Sequence, residues 1–336
     1  VRLSNTNNGV DWDERAFAAS VSWDLTTGDG TKTAYVQYGD AAGNWSGSYS
    51  DTIILDTSTP SGGIVINKNP SDPSDLLGAA YTATTAVTLT LDAGAGITTM
   101  RVRNAGANWG AEEAYSASKA WILQSGDGNR TVEIQFKNIA GTWSDTKSDA
   151  IVLDTAEPTG SVTVSGSGGT VATNILTASL ALDATDGAGS GVAEMTFSND
   201  GTTWSSWESY SASKGGYALA SGADGARTVY VRFKDNAGNT SAIVSDDIVY
   251  DHTAPTLSIT GPFASDGTTP LAATNAGPVL FKITANEDVT FDLNGKITLN
   301  KTGLADATVS SEGTGVRERT VVLSALSGDG SLGIRI

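Results

Sequence analysis

The residues of this chain best placed to do chemistry are its aspartates. Asp56, Asp154 and Asp251 occupy one position in three related strings, LDTSTP, LDTAEP and YDHTAP, and Asp183 and Asp186 lie close together in LDATDGAGSG. Hard divalent cations take several oxygen ligands from carboxylates and carbonyls, so this clustering predicts Ca2+. The strongest site is expected from Asp183 and Asp186 together with Asp154, and weaker ones at Asp56 and Asp251. Carboxylates gathered where one domain meets the next repel one another, and a divalent ion relieves that repulsion while bridging two bodies. The competing reading of the same aspartates is local: they cap turns or hold water. The counterpart window LDAGAGITTM offers Asp92 but nothing equivalent to Asp186.

Other chemistries have little to work with, and the chain is expected not to be an enzyme. The single imidazole, His252, sits in a DHTAP string where the other copies carry Thr, so a triad or a His-based metal centre would rest on one linker residue. The pairs Glu112-Glu113 and Asp246-Asp247 fall on expected surface loops or strand ends, where charge is ordinarily solvated. The Gly-x-Gly strings precede strands and not helices, unlike a phosphate-binding loop. With no cysteine there is no disulfide framework and no thiolate metal site, a pattern that fits bacterial export. Thirty-seven acidic against twenty basic residues leave a net charge of −17, which disfavours nucleic acid and anionic membrane partners. No run of about 20 apolar residues could span a bilayer, so membrane insertion is not expected of this segment, and any export signal or anchor is expected outside it.

Eight tryptophans form the other enriched class. Trp12, Trp109 and Trp204 recur at one place, Trp23 and Trp121 at a second, Trp45 and Trp143 at a third, which favours packing because a repeated core needs the same filler in each copy. Trp207 has no counterpart and keeps carbohydrate stacking open as the alternative.

These residues ride on an internal repeat. Asp56, Asp154 and Asp251 are separated by 98 and 97 positions, and Pro60, Pro158 and Pro255 by the same steps. That period is one β-sandwich domain and far exceeds a solenoid unit. TAYVQY, TVEIQF and TVYVRF alternate, so Ala34/Val36/Tyr38, Val132/Ile134/Phe136 and Val229/Val231/Phe233 are expected to face a core. Val87/Leu89/Leu91, Ala178/Leu180/Leu182 and Val279/Phe281/Ile283 make a second alternating strand. Gly28-Asp29-Gly30, Gly126-Asp127-Gly128 and Asp224-Gly225 turns open the first of these strands, and Ala-Gly-Asn or Ala-Gly-Thr turns follow it. The window from Ala111 to Trp121 is rich in helix formers, but its counterpart holds Gly215-Gly216, so both windows are expected to be loop or irregular edge.

The string SGADGARTVYVRFKDNAGNTSAIVSDDIVYDHTAP resembles the tail of bacterial Ig-like repeats found in long secreted adhesins, surface-layer-type proteins and multidomain extracellular hydrolases. The likeness covers residues 1 to about 257, and the remainder resembles a second Ig-like subtype more loosely. It implies an all-β fold of tandem antiparallel Ig-like β-sandwiches, and junction ions that stiffen the string. The expected domains are 1–59 (initial strands missing), 60–158, 159–256 and 257–336 (final strand missing), as in an excerpt of a longer array. The function expected is a non-catalytic extracellular spacer or adhesive segment of a surface or secreted protein. Its partners would be neighbouring Ig-like domains, with surface proteins or glycans as further ones. The alternatives are a carbohydrate- or protein-binding adhesin tip and an accessory region of a secreted hydrolase.

Overall fold

The computed structural model describes residues 1–68, 78–292 and 297–336, and among them the regular elements are strands, with no helix. Part of the expected 60–158 domain, residues 69–77, therefore lies outside the described residues. Packing divides the chain into two compact units: Val1–Val171, Leu176–Ser221 and Ala226–Ile248 form one, and Ala172–Ile175, Gly222–Gly225 and Val249–Ile336 the other.

The second copy shows why alternation gives a sandwich. Its larger sheet runs, in order, Tyr81–Thr82, Lys147–Leu153, Gly128–Asn138, Ile97–Asn104 and Glu113–Ala114. Its smaller sheet runs Ser118–Ile122, Ala86–Ala93 and Gly62–Ile66. Pairing is antiparallel except for a two-residue parallel contact of Tyr81 and Thr82 with Val152 and Leu153. Period-2 side chains from both sheets meet: Val132, Ile134 and Phe136 are fully buried against Ile66, Val87, Leu89 and Leu91. The polar residues between them face outward.

The third copy repeats the arrangement. Val229, Val231 and Phe233 pack on Val162, Val164, Leu180 and Leu182, and the strand order Val244–Tyr250, Gly225–Asp235, Val192–Ser198, Glu208–Ser209 is the same. Glycine has a specific task in both. A Cβ on Gly62 would lie 2.5 Å from the Phe136 ring, and one on Gly160 would lie 2.5 Å from Phe233. Only a hydrogen side chain lets the covering strand close over the aromatic ring.

The windows expected as loop or irregular edge hold edge strands of the smaller sheets. Ser118–Ile122 pairs with Ala86–Thr90, and Ser213–Ala218 pairs with Thr177–Ala181 across an irregularity, so Gly215-Gly216 is accommodated in an edge strand. Helix-forming composition loses here because Lys119 and Trp121 alternate with exposed neighbours, and the sheet satisfies the backbone that an isolated short helix would leave open.

The first copy has one sheet, ordered Asp13–Glu14, Arg2–Ser4, Gly30–Gln37, Tyr49–Leu55. Its expected core triplet is not enclosed: Ala34 and Val36 are half-buried and Tyr38 is exposed. In the fourth segment, Leu257–Phe263, Val279–Ala285, Glu318–Ser327 and Asp306–Glu312 form one sheet in that order, and Thr298–Lys301 pairs with Leu332–Arg335. Val279, Phe281 and Ile283 face its core with Val321 and Leu323, as the alternation predicts.

Candidate metal centre at a sandwich junction

The linker after each copy is held to the sandwich it leaves. Asp29, in the first Gly-Asp-Gly turn, accepts the Thr57 N–H and hydroxyl at 2.8 and 2.7 Å. Asp127 does the same for Thr155 at 3.0 and 2.9 Å, and Asp224 accepts the His252 N–H at 2.9 Å and the Thr253 hydroxyl. The Thr57 hydroxyl and amide hold the Asp29 carboxyl below its ordinary range, and Thr253 and His252 do so for Asp224.

Asp154 then carries the second linker onto the third copy. It is 1% exposed, its Oδ2 accepts the Ser190 N–H at 2.6 Å, and its carbonyl accepts the Asn239 side-chain amide at 2.8 Å. Asp154, Asp186 and Asp235 each offer a carboxylate oxygen, and these oxygens lie within 4.8 Å of one another. The loop 186–191 wraps the group: Gly191 N–H donates to Asp186 Oδ2 at 2.7 Å, and a Cβ on Gly189 would press on Asp186 and Asp154 at 2.5 and 2.8 Å. Asp235 ends its strand and receives the amides of Gly238 and Asn239 at 2.6 and 2.8 Å.

Electrostatics separate the three. Burial pushes the Asp154 carboxyl up, but hydrogen bonds from Ser190 and Ala156 outweigh it and leave the group below its usual range. For Asp186 burial dominates and the carboxylates of Asp154 and Asp235 add to it, so its affinity for a proton is raised although Gly191 donates to it. Asp186 Oδ1 is buried and receives no hydrogen bond. A buried, unsatisfied carboxylate oxygen beside two further carboxylates is the donor set a hard cation takes, so these residues fit Ca2+.

The structure thus brings Asp154 and Asp186 together but not Asp183. Asp183 stands exposed on strand Thr177–Thr185, opposite Ser161, because Leu182 takes the inward position and the next residue must face out. Asp235 takes the place expected for Asp183. Its signal was present in FKDNAGN, where Asp235 matches Asp40 of the first copy and Asn138 of the second. At Asp56 no carboxylate cluster forms among the described residues; Asn138 donates its side-chain amide to Asp56 Oδ2 at 2.8 Å and to the Ser58 carbonyl at 3.3 Å. Asp251 caps its own linker by accepting the Thr253 N–H at 3.1 Å. His252 lies with its ring stacked on Tyr250 and its Nδ1 3.2 Å from the Asn174 carbonyl.

The tryptophans do pack, but mostly on the outward face of the larger sheets. Arg2 lies between Trp12 and Trp45 at 5.0 and 4.3 Å, and Arg101 between Trp109 and Trp143 at 4.8 and 4.3 Å. In the third copy Arg232 covers Trp204 and Lys234 covers Trp207, at 4.7 and 4.3 Å. Trp121 is the one packed against the interior of the second copy.

No protein-family model matches the chain, and no curated protein matches it. Among solved structures it is similar to fibronectin(III)-like modules of Clostridium thermocellum CbhA, at 14% identity over 56% of this chain and 94% of that one, with a TM-score of 0.36. It is similar to a structure bearing on host cell surface retention of a 1.5-MDa bacterial ice-binding adhesin, at 16% identity over 80% of this chain and 88% of that one, TM-score 0.37. A tetra-tandem repeat from the extending region of a large adhesion protein is 20% identical over 91% of this chain and 70% of that one, TM-score 0.25. At these levels the fold rests on the strand order and core of the chain itself. By that order and packing, the chain is an all-β series of tandem, Ig-like antiparallel sandwiches.

Proposed function

We propose that this chain is a non-catalytic structural or adhesive segment of an extracellular surface protein, a spacer whose joints are clamped, and that Ca2+ closes the joint between its second and third sandwiches. The observation that carries this reading is the two-sided grip on residues 154 and 155. Thr155 is bound to Asp127 of the sandwich behind, and Asp154 is bound to Ser190 and Asn239 of the sandwich ahead. A linker fixed at both ends resists bending, which is what a spacer needs and a catalyst does not. Asp154, Asp186 and Asp235 would hold the ion, which supplies the positive charge that three adjacent carboxylates lack.

Calorimetric titration of the metal-free chain with Ca2+ tests the assignment. Saturable binding should be lost in Asp186→Ala and in Asp235→Ala and kept in Asp183→Ala. Binding that survives Asp186→Ala unchanged would remove the ion from this joint.

A further inference from the structure

The three carboxylates of the proposed ion site come from three separate segments: Asp154 from the linker, Asp186 from the loop after strand Thr177–Thr185, and Asp235 from the end of strand Gly225–Asp235. Such donors converge only if the loop is held in register with the strand end. Two consecutive amides of the loop aim the carboxylates. Ser190 N–H donates to Asp154 Oδ2 at 2.6 Å, and Gly191 N–H donates to Asp186 Oδ2 at 2.7 Å. With Oδ2 engaged in this way, Asp186 Oδ1 is the oxygen left without a hydrogen bond.

One exposed side chain holds those amides. Asn236 donates from Nδ2 to the carbonyls of Ser190 and Gly191 at 2.9 and 3.0 Å. The Ser190 carbonyl and the Gly191 N–H belong to one planar peptide unit, so fixing the carbonyl fixes the direction of the N–H that binds Asp186. The backbone ties the same two segments: Asn236 N–H donates to the Gly191 carbonyl at 3.1 Å, and Ala237 N–H donates to Ser190 Oγ at 3.0 Å. The second copy separates the general part of this arrangement from the particular one. Ile139, at the place of Asn236, keeps the backbone bond, to the Gly96 carbonyl at 3.2 Å, but its side chain is 61% exposed and offers no donor. Of these two copies, the one whose loop carries Asp186 is the one with the asparagine.

We propose that Asn236 is a positioning residue that sets the ion preference of this site, Ca2+ over Mg2+, a proposal that rests on the assignment of a divalent cation to Asp154, Asp186 and Asp235. Mg2+ demands near-ideal octahedral ligands at about 2.0–2.1 Å, whereas Ca2+ takes ligands at about 2.3–2.6 Å, and the flexibility of the donor set decides between them. With the peptide between Ser190 and Gly191 clipped to the strand end, Asp186 is held back from the shorter distance. Without the clip the loop can follow the smaller ion, and the preset spacing that suits Ca2+ is lost. Asn236 acts through Asp186, since its Nδ2 is committed to the loop.

The test compares the full chain with Asn236→Ala in calorimetric titrations with Ca2+ and, separately, with Mg2+. The first copy carries Ala41 at this place, so the variant should fold, and the melting curve of the ion-free chain checks that it does. Ca2+ affinity should fall about tenfold, the usual size of losing a group that orients a ligand. The ratio of Ca2+ to Mg2+ affinity should fall with it, which a general loosening of the fold would not produce. Unchanged Ca2+ affinity, equal weakening toward both ions, no preference for Ca2+ in the parent chain, or a melting temperature of the ion-free variant lowered enough to explain the loss would overturn the proposal. A parent chain that binds neither ion would overturn the cation assignment itself, and this proposal with it.

Discussion

Changing Phe233 to Ala is expected to destabilise the third sandwich by about 3–5 kcal/mol, the usual cost of deleting a buried aromatic ring. The ring is fully buried, meets Tyr210 edge-on at 5.9 Å, and lies directly under Gly160. A strand lying that close to the ring leaves little room for collapse, because Gly160 has no side chain to move into the cavity. Phe136→Ala should act alike on the second sandwich, where Tyr115 meets the ring at 6.1 Å. Tyr38→Ala, at the matching exposed position of the first copy, should cost far less. A chain of several cores does not unfold in one step, so hydrogen exchange read sandwich by sandwich is the suitable measurement. Equal losses at Phe233 and Tyr38 would contradict the packing described.

Calcium removal is expected to have the next largest effect. A ligand that binds the folded state alone adds RT ln(1 + [L]/Kd), about 2.7 kcal/mol at a hundredfold excess over Kd. For a domain of this size that corresponds to roughly 10–20 °C in melting temperature. The loss should appear in the third sandwich, whose 186–191 loop wraps the carboxylates, and should vanish in Asp186→Ala. The junction at Asp56 should not respond, because Asn138 supplies there the donor that a cation would supply at Asp154. A chelator that leaves the melting curve unchanged would rule out a stabilising ion.

Much of the fold was legible because period-2 alternation repeats at a fixed step. Val132, Ile134 and Phe136 could be placed in a core from the sequence alone, and the second copy of the pattern confirmed the register through Val229, Val231 and Phe233. The short strands Ser118–Ile122 and Ser213–Ala218 were legible only as loop or irregular edge, since their local composition favours helix or turn and pairing with Ala86–Ala93 and Thr177–Thr185 is what makes them strands. The junction was half legible. Asp154 and Asp186 declared themselves by spacing, but Asp183 was placed by proximity in sequence, which in a strand sends neighbouring side chains to opposite faces. Asp235 was hidden because a residue before Ala-Gly-Asn reads as part of a turn. Asp51, Asp149 and Asp246 repeat at the same 98 and 97 steps as the linker aspartates, a signal available in the sequence that acquires meaning once Ile66 and Val164 are seen to donate to two of them.

How freely one sandwich moves on the next is the property that most directly separates a clamped spacer from a loose string of domains. The chain contains no cysteine, so spin labels can be attached at Ala120→Cys and Ala181→Cys, both exposed, across the joint at Asp154. A second pair at Thr31→Cys and Ala120→Cys spans the joint at Asp56. With Ca2+ present, both distance distributions should be narrow. With chelator the Asp154 pair should broaden while the Asp56 pair stays narrow. Broad distributions at both joints in the presence of Ca2+ would contradict a clamped spacer.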